Sequence, residues 1–354
     1  MSQKNRINNL LNYLNKRILI MDGAMGTMIQ KKNLSESDFR NSRFKNWSID
    51  LKGNGDVLNI TNSKVISDVH SAFLDSGADI ILTNTFNSNK ISQSDYGLED
   101  HSTEMNYSAA LLARKVADKF SDKNPEKIRF VAGAIGPTNK TASISPKVDD
   151  PAYRNVSFDE LKDVYKEAAI SLIDGGVDFL ILETIFDTLN AKAGIFAIGE
   201  INQKRTYKIP LMISGTITDF SGRNLSGQTV EAFWNSVKHA EPLSIGLNCS
   251  FGAERLTPAL EELSRVADTN ILAYPNAGLP NPMGEYDETP ELTASYLAQW
   301  AKNGIINIVG GCCGTTPEHI NRISKEVSRF SPRAVPKIEK TLKLSGLEPF
   351  GILS

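Results

Sequence analysis

The sequence predicts a (β/α)8 barrel, the TIM-barrel class of α/β fold, on three observations. Short β-branched apolar runs alternate with helical stretches eight times. Most of the runs are continuously apolar rather than alternating, as in strands buried on both faces of a parallel sheet. Polar and glycine-rich motifs follow the runs, so they gather on one rim of the barrel. A doubly wound open sheet is the structural alternative, but no glycine-rich dinucleotide fingerprint follows the first strand.

The expected strands are 18–22, 80–83, 130–134, 179–182, 211–214, 244–247, 271–274 and 306–309. Helical periodicity runs through Val65, Val69, Ala72 and Phe73, and again through Leu161, Val164, Tyr165, Ala168 and Leu172. Ser157 ahead of Phe158-Asp159-Glu160, and Thr316 ahead of Pro317-Glu318, read as helix starts. Ser76-Gly77 and Gly175-Gly176 read as helix ends. Residues 1–16 look like an amphipathic helix able to plug the barrel floor, 17–330 like the barrel itself, and 331–354 like a Pro-punctuated linker or docking strap. The irregular stretch from Asn33 to Asp56 exceeds an ordinary βα loop and reads as a lid or binding loop.

Composition narrows the function. The 354 residues include 39 basic and 41 acidic side chains, a formal net charge of −2, which argues for neither nucleic acid nor membrane surface as partner. The longest apolar runs are strand-sized and the first nine residues are polar, so neither a membrane span nor a secretory signal is expected, and a cytoplasmic location follows. Three cysteines are too few, and odd in number, for a disulfide framework. A small-molecule substrate is the expectation.

All three cysteines fall at strand ends. Cys249 follows the sixth strand, and Cys312 and Cys313 follow the eighth, two strands away. Three thiolates leave one tetrahedral position of Zn²⁺ open, the pattern of a catalytic zinc. For adjacent cysteines to reach one ion, the backbone must leave strand geometry, which Gly310, Gly311 and Gly314 permit. Cys249 alone would read equally well as a small hydrophobe, and a Cys-Cys pair as a vicinal disulfide. Iron–sulfur clusters ordinarily take four ligands, which favours zinc. Asp22 and Glu183 are carboxylates at the ends of apolar strands, suited to a substrate ammonium or else paired with a neighbouring amide or basic group. Gly23–Thr27 offers backbone N–H groups in a tight turn that suits a carboxylate. Asn84 and Asn248 stand on the same rim. Zinc, ammonium and carboxylate sites together describe a thiol-bearing amino acid. His70, His101, His239 and His319 fall in or beside helices on the barrel's outside, away from the rim.

The segments Met21-Asp22-Gly23-Ala24-Met25-Gly26-Thr27, Gly246-Leu247-Asn248-Cys249-Ser250 and Gly310-Gly311-Cys312-Cys313-Gly314-Thr315 resemble the homocysteine S-methyltransferase family over about residues 18–330. Asp56-Val57-Leu58-Asn59 and Gly215-Thr216-Ile217-Thr218-Asp219 look like its cobalamin branch, similar to the N-terminal module of cobalamin-dependent methionine synthase. The resemblance implies that Cys249, Cys312 and Cys313 hold zinc and that homocysteine sulfur takes the open position. It implies that Asp22 and Glu183 hold the amine, that backbone around Ala24, Met25, Gly26 and Thr27 holds the carboxylate, and that the thiolate attacks methylcobalamin on a corrinoid module. The sequence ends where Ser345-Gly346-Leu347-Glu348-Pro349 resembles a linker into a folate-binding barrel, so the folate and corrinoid modules are expected on another chain, or the chain is a fragment. Betaine or S-methylmethionine as donor, and a module that only presents homocysteine, are the rival expectations.

Overall fold

The computed structural model describes residues 1–339 and 341–351; Lys340 and residues 352–354 of the expected tail lie outside the described residues. In chain order the main elements are α1 (Gln3–Leu14), β1 (Leu19–Ile20), α2 (Met25–Gln30), α3 (Glu36–Arg40), α4 (Leu58–Thr61), α5 (Ser63–Asp75), β2 (Ile80–Leu82), α6 (Lys90–Gln93), α7 (Ser102–Lys123) and β3 (Phe130–Ile135). They continue as α8 (Phe158–Asp174), β4 (Phe179–Ile185), α9 (Thr188–Gln203), β5 (Leu211–Gly215), α10 (Val230–Val237), β6 (Ser244–Gly252), α11 (Ala253–Val266) and β7 (Asn270–Asn276). The last are α12 (Pro290–Lys302), β8 (Ile308–Val309), α13 (Pro317–Val327), β9 (Lys343–Ser345) and β10 (Pro349–Gly351). The sheet runs β1-β8-β7-β6-β5-β4-β3-β2, every pair parallel, and a parallel bridge between Met21 and Ile80 joins its two ends. This is the expected (β/α)8 barrel.

Strand parity divides the core. Leu19, Met21, Ile80, Phe130, Ala132, Phe179, Ile181, Met212, Leu272 and Ile308 pack together inside the barrel, while Ile20, Ile81, Val131, Leu180, Ile213, Ile245 and Val309 pack outward under the helices. Leu10 and Leu14 of α1 join the inner cluster, so the N-terminal helix closes the barrel floor. Arg6 of α1 pairs with buried Asp178 at 2.5 Å, which ties the plug to the start of β4.

Local signals act as expected. Ser157 and Glu160 form a reciprocal capping box on α8. Gly77 and Gly176 take positive φ where α5 and α8 release the chain. The stretch 33–56 differs from a free lid. Phe39, Phe44 and Leu51 are buried with Val57, Leu58 and Ile66 in a satellite core, and Glu36 accepts the amides of Leu51 and Lys52. It is a packed wall beside the barrel mouth. At the other end, β9 and β10 form an antiparallel hairpin strapped to α10, with Ser345 Oγ 2.7 Å from Ser236 Oγ and the Leu347 carbonyl accepting the Thr229 amide. Among the described residues no helix is long and apolar enough to cross a membrane.

Candidate active site

The top inward layer of the barrel is polar. Glu183, Ser214, Asn248 and Tyr274 share the inward parity of the apolar residues beneath them, and all four are buried. They satisfy one another: Ser214 Oγ donates to Asn248 Oδ1 at 2.6 Å, and Tyr274 Oη donates to Glu183 Oε2 at 3.2 Å. Above them opens a cavity of about 620 Å³, lined by Asp22, Asp56, Glu183, Cys312 and Cys313 along with apolar groups such as Met25 and Leu82.

Parity alone would aim Cys249 away from this cavity, since Leu247 packs outward. Two consecutive left-handed residues turn it instead toward Cys312 and Cys313, although it does not itself line the cavity: Cys249 has φ +61° and Ser250 φ +60°. The β6–β7 register breaks between Asn248 and Gly252, as it does in β4–β5 between Leu182 and Ile185, where Thr184 has φ +55°. Such conformations cost on the order of 1–3 kcal/mol per non-glycine residue, and persist only where surrounding contacts enforce them. Both bulges re-aim a side chain at the rim of the barrel.

The Cys312-Cys313 loop is held from four sides. Gly311 N–H donates to the Asp22 carbonyl, Cys312 N–H to the Pro275 carbonyl at 2.7 Å, Cys313 N–H to Asn276 Oδ1 at 3.1 Å, and Gly314 N–H to Thr27 Oγ1 at 3.0 Å. The glycines serve different ends. Gly314 has φ +80°, whereas Gly310 and Gly311 are required by space: a Cβ on Gly311 would lie 2.1 Å from Thr315 Cγ2, and one on Gly310 2.7 Å from Met21 Cβ.

These constraints bring the three sulfurs within 4.8 Å of one another, with Cys249 and Cys313 4.0 Å apart. Sulfurs each 2.3 Å from one tetrahedral zinc stand roughly 3.8 Å apart, so the spacing fits that ion. Three soft donors, with no His, Asp or Glu joining them among the described residues, match a metal site with an open position. The cluster is also electronically prepared. Hydrogen bonds from the Cys249 and Cys312 thiols, aided by the Tyr286 hydroxyl, hold the Cys313 thiol far below the usual range. Cys312 is driven up by the same sharing.

Three carboxylates, Asp22, Asp56 and Glu183, line the cavity with no cationic partner among the described residues. Burial pushes Asp22 well above the ordinary carboxylate range, against the Leu82 amide that it accepts at 2.9 Å. Burial pushes Glu183 up to about 7, reinforced by the charges of Asp56 and Cys313. Burial also raises Asp56 to about 7, although Asp56 Oδ2 accepts the Asn87 amide at 2.7 Å. An unpaired buried carboxylate awaits either a proton or a cation.

The remaining residues singled out from sequence sort as follows. Asp22, Ala24, Met25, Gly26, Thr27, Asn84 and Glu183 line the cavity. Gly23–Thr27 is not a tight turn: α2 begins at Met25, with Ala24 as its N-cap and no capping side chain. Met25, Gly26 and Thr27 therefore present first-turn N–H groups, while the Ala24 amide is already engaged by the Thr315 carbonyl. Asn84 lies at the cavity edge, and its Nδ2 donates to the Gly55 carbonyl at 2.8 Å. Asn248 does not line the cavity; its amide is committed to Thr184 and Ser214. His319 caps α13 and contacts the Glu288 carbonyl, and His70 is buried in α5, both away from the cysteines. Tyr286 carries no sequence signal of a site, and Asp56, though it opens the Asp56–Asn59 motif and ends the expected binding loop, gets no role of its own from the sequence. Both sit within long loops, and Tyr286 reaches the cysteines because Gly314 lets it pack against the bare Cα.

Residues 19–327 match the model of the family described as homocysteine S-methyltransferase. The chain belongs to that family. It is a methyltransferase of that family. Among solved structures, the metallated form of the homocysteine methyltransferase MmuM from Escherichia coli superimposes with a TM-score of 0.70 at 22% identity, covering 90% of this chain and 99% of that one. Its oxidized form gives 0.67 at 21% identity over 87% and 95%, and its apo form 0.65 at 22% identity over 90% and 99%. At these identities the likeness speaks for the shared barrel.

Proposed function

We propose that this homocysteine S-methyltransferase is zinc-dependent and makes methionine from homocysteine with a corrinoid-bound methyl group as donor. The observation that carries the zinc assignment is the cluster of Cys249, Cys312 and Cys313, whose sulfurs converge within 4.8 Å. A zinc ion held there would supply a Lewis acid that favours the thiolate form of the homocysteine sulfur, which at an ordinary pKa near 8.5 is mostly protonated at pH 7.

The chain's own residues bind and orient. Asp22 and Glu183 take the substrate ammonium, which supplies the counter-charge both lack. The first-turn N–H groups of Met25, Gly26 and Thr27 take the carboxylate. Tyr274 fixes Glu183, and Asn84 fixes the loop that carries Asp56. With both ends of the amino acid anchored, its sulfur is directed toward the cysteines. Methyl transfer forms one S–C bond as the bond from carbon to the donor breaks. It needs alignment more than a proton carrier, which accords with a cavity lining that contains no histidine.

The resemblance of Asp56–Asn59 and Gly215–Asp219 to the cobalamin branch supports a donor carried on a corrinoid module. A cytoplasmic setting would keep the three thiols reduced. The test is methyl transfer to homocysteine from methylcobalamin, betaine and S-methylmethionine in parallel, with zinc content measured on the same sample. Methionine is expected from methylcobalamin alone, with one zinc per chain. Turnover of betaine or S-methylmethionine without methylcobalamin would overturn the donor assignment.

A further inference from the structure

We propose that Asp56 is a third wall of the ammonium pocket and sets the preference for an amino-acid thiol over a plain thiol. The inference rests on the reading that Asp22 and Glu183 receive the homocysteine ammonium, and it extends that pocket to a residue outside the barrel strands.

Asp56 comes from the packed wall, in a short 3-10 turn just ahead of α4. It is 5% exposed, yet it lines the cavity. Three side-chain links fix its loop to the chain after β2. Asn84 Nδ2 donates to the Gly55 carbonyl at 2.8 Å, Asn59 Nδ2 donates to the Asp56 carbonyl at 2.8 Å and to the Asn84 carbonyl at 2.6 Å, and the Asn87 amide donates to Asp56 Oδ2 at 2.7 Å. The carboxylate is thus held in place before any ligand arrives, which reduces the ordering cost of binding.

Its surroundings lack the counter-charge that the buried carboxylates at the barrel floor have, as do those of Asp22 and Glu183 beside it in the cavity. Asp178 is held by Arg6 and Arg114, and Asp79 by Arg17. Among the described residues no cation acts on Asp56, and Lys52, which also lines the cavity, is exposed. Glu183 lines the same cavity as Asp56 and Cys313, within electrostatic reach of both. A substrate whose sulfur lies at the cysteines and whose ammonium lies at Glu183 therefore brings its positive charge to Asp56 as well. Ionised together, the carboxylates repel one another; an ammonium among them removes that repulsion. A thiol without the amino group gains nothing from them.

A purely structural role would be to accept the Asn87 amide and no more. Asp56→Asn separates the two roles, because an amide oxygen keeps the acceptor while the charge is lost. The experiment is calorimetric binding to the zinc-loaded full chain, with homocysteine and 4-sulfanylbutanoate, which lacks only the amino group. Asp56→Asn is expected to weaken homocysteine at least tenfold, to leave 4-sulfanylbutanoate within twofold, and to leave zinc content unchanged. If the variant binds both thiols like the parent, or loses both equally, Asp56 is a loop anchor and the proposal falls. If the parent itself binds the two thiols equally, the ammonium reading of Asp22 and Glu183 falls with it. Asp22→Asn, run alongside, tells the cases apart: loss of the preference there but not in Asp56→Asn rejects Asp56 alone.

Discussion

Asn248 on β6 grips Thr184 on β4 from both sides: Asn248 Nδ2 donates to Thr184 Oγ1 at 2.8 Å, and Asn248 Oδ1 accepts the Thr184 amide at 3.2 Å. The contact joins the two bulges of the rim, since Thr184 is left-handed next to Glu183 and Cys249 is left-handed next to Asn248. One buried amide thereby aligns Glu183, the proposed ammonium ligand, with Cys249, a proposed metal ligand. Asn248→Ala leaves the Thr184 amide and the Ser214 hydroxyl without their partner, at a cost of about 2–4 kcal/mol. We expect that loss in denaturant unfolding, together with weakened homocysteine binding, although Asn248 does not line the cavity. A variant equally destabilised but with parental affinity would show that the amide holds the barrel and not the site.

Replacing a cysteine tests the metal site more directly. Two sulfurs are a poor tetrahedral set, so Cys312→Ser and Cys249→Ser should each lose most of the bound zinc, read by elemental analysis after dialysis. Homocysteine binding should be lost with the metal, and a chelator should reproduce the effect on the parent protein. Asp22→Asn and Glu183→Gln should weaken homocysteine and keep the zinc. Retention of both metal and homocysteine in Cys312→Ser would refute the sulfur triad as the zinc site.

The sequence shows the barrel because parallel strands buried on both faces appear as unbroken apolar runs, and it shows Glu183 because the residue continues the inward parity of Phe179 and Ile181. The chemistry of the cysteines is legible from their placement at two strand ends. Their geometry is not. Thr184, Cys249 and Ser250 are left-handed without being glycine, and only contacts from distant strands such as that of Asn248 enforce this. β4, β6 and β7 accordingly run on past the apolar runs and carry the site in their ends, while β8 ends at Val309 as expected but begins two residues later, at Ile308. Asp56 was hidden for another reason. Its position depends on links to residues 84–87, which local periodicity does not encode.

Gly311 is expected to tolerate nothing larger. Its φ is not left-handed, so ordinary backbone preference would admit alanine, but an added Cβ would meet Thr315 Cγ2 at 2.1 Å, Oγ1 at 2.3 Å and Cβ at 2.5 Å. Thr315 cannot give way cheaply, because its amide bonds to the Cys312 carbonyl and its carbonyl to the Ala24 amide. Gly311→Ala should therefore displace the Cys312-Cys313 loop and reduce zinc occupancy, while far-ultraviolet dichroism reports an intact barrel. Gly26→Ala, where nothing lies within 4 Å of the added atom, is the control that should keep its zinc. Equal zinc content in the two variants would show that the loop absorbs the clash.

The same carboxylate that favours an ammonium substrate should weaken the free protein. Burial raises Asp56 from an ordinary 3.8 to about 7 in the folded state. Between those values the folded chain holds a proton that the unfolded chain has released, so stability falls as pH rises through that window and the full penalty stands above it. Asp56→Asn removes the ionisation and keeps an acceptor for Asn87. Without ligand, it should be more stable than the parent by on the order of 2–4 kcal/mol at pH 8, and the gain should shrink toward pH 5. Saturating homocysteine should narrow the difference at pH 8, because the ammonium replaces the missing counter-charge and stabilises the parent more than the variant. Denaturant titrations of both proteins at the two pH values, with and without homocysteine, measure all of this. A gain independent of pH would trace the effect to packing instead of charge.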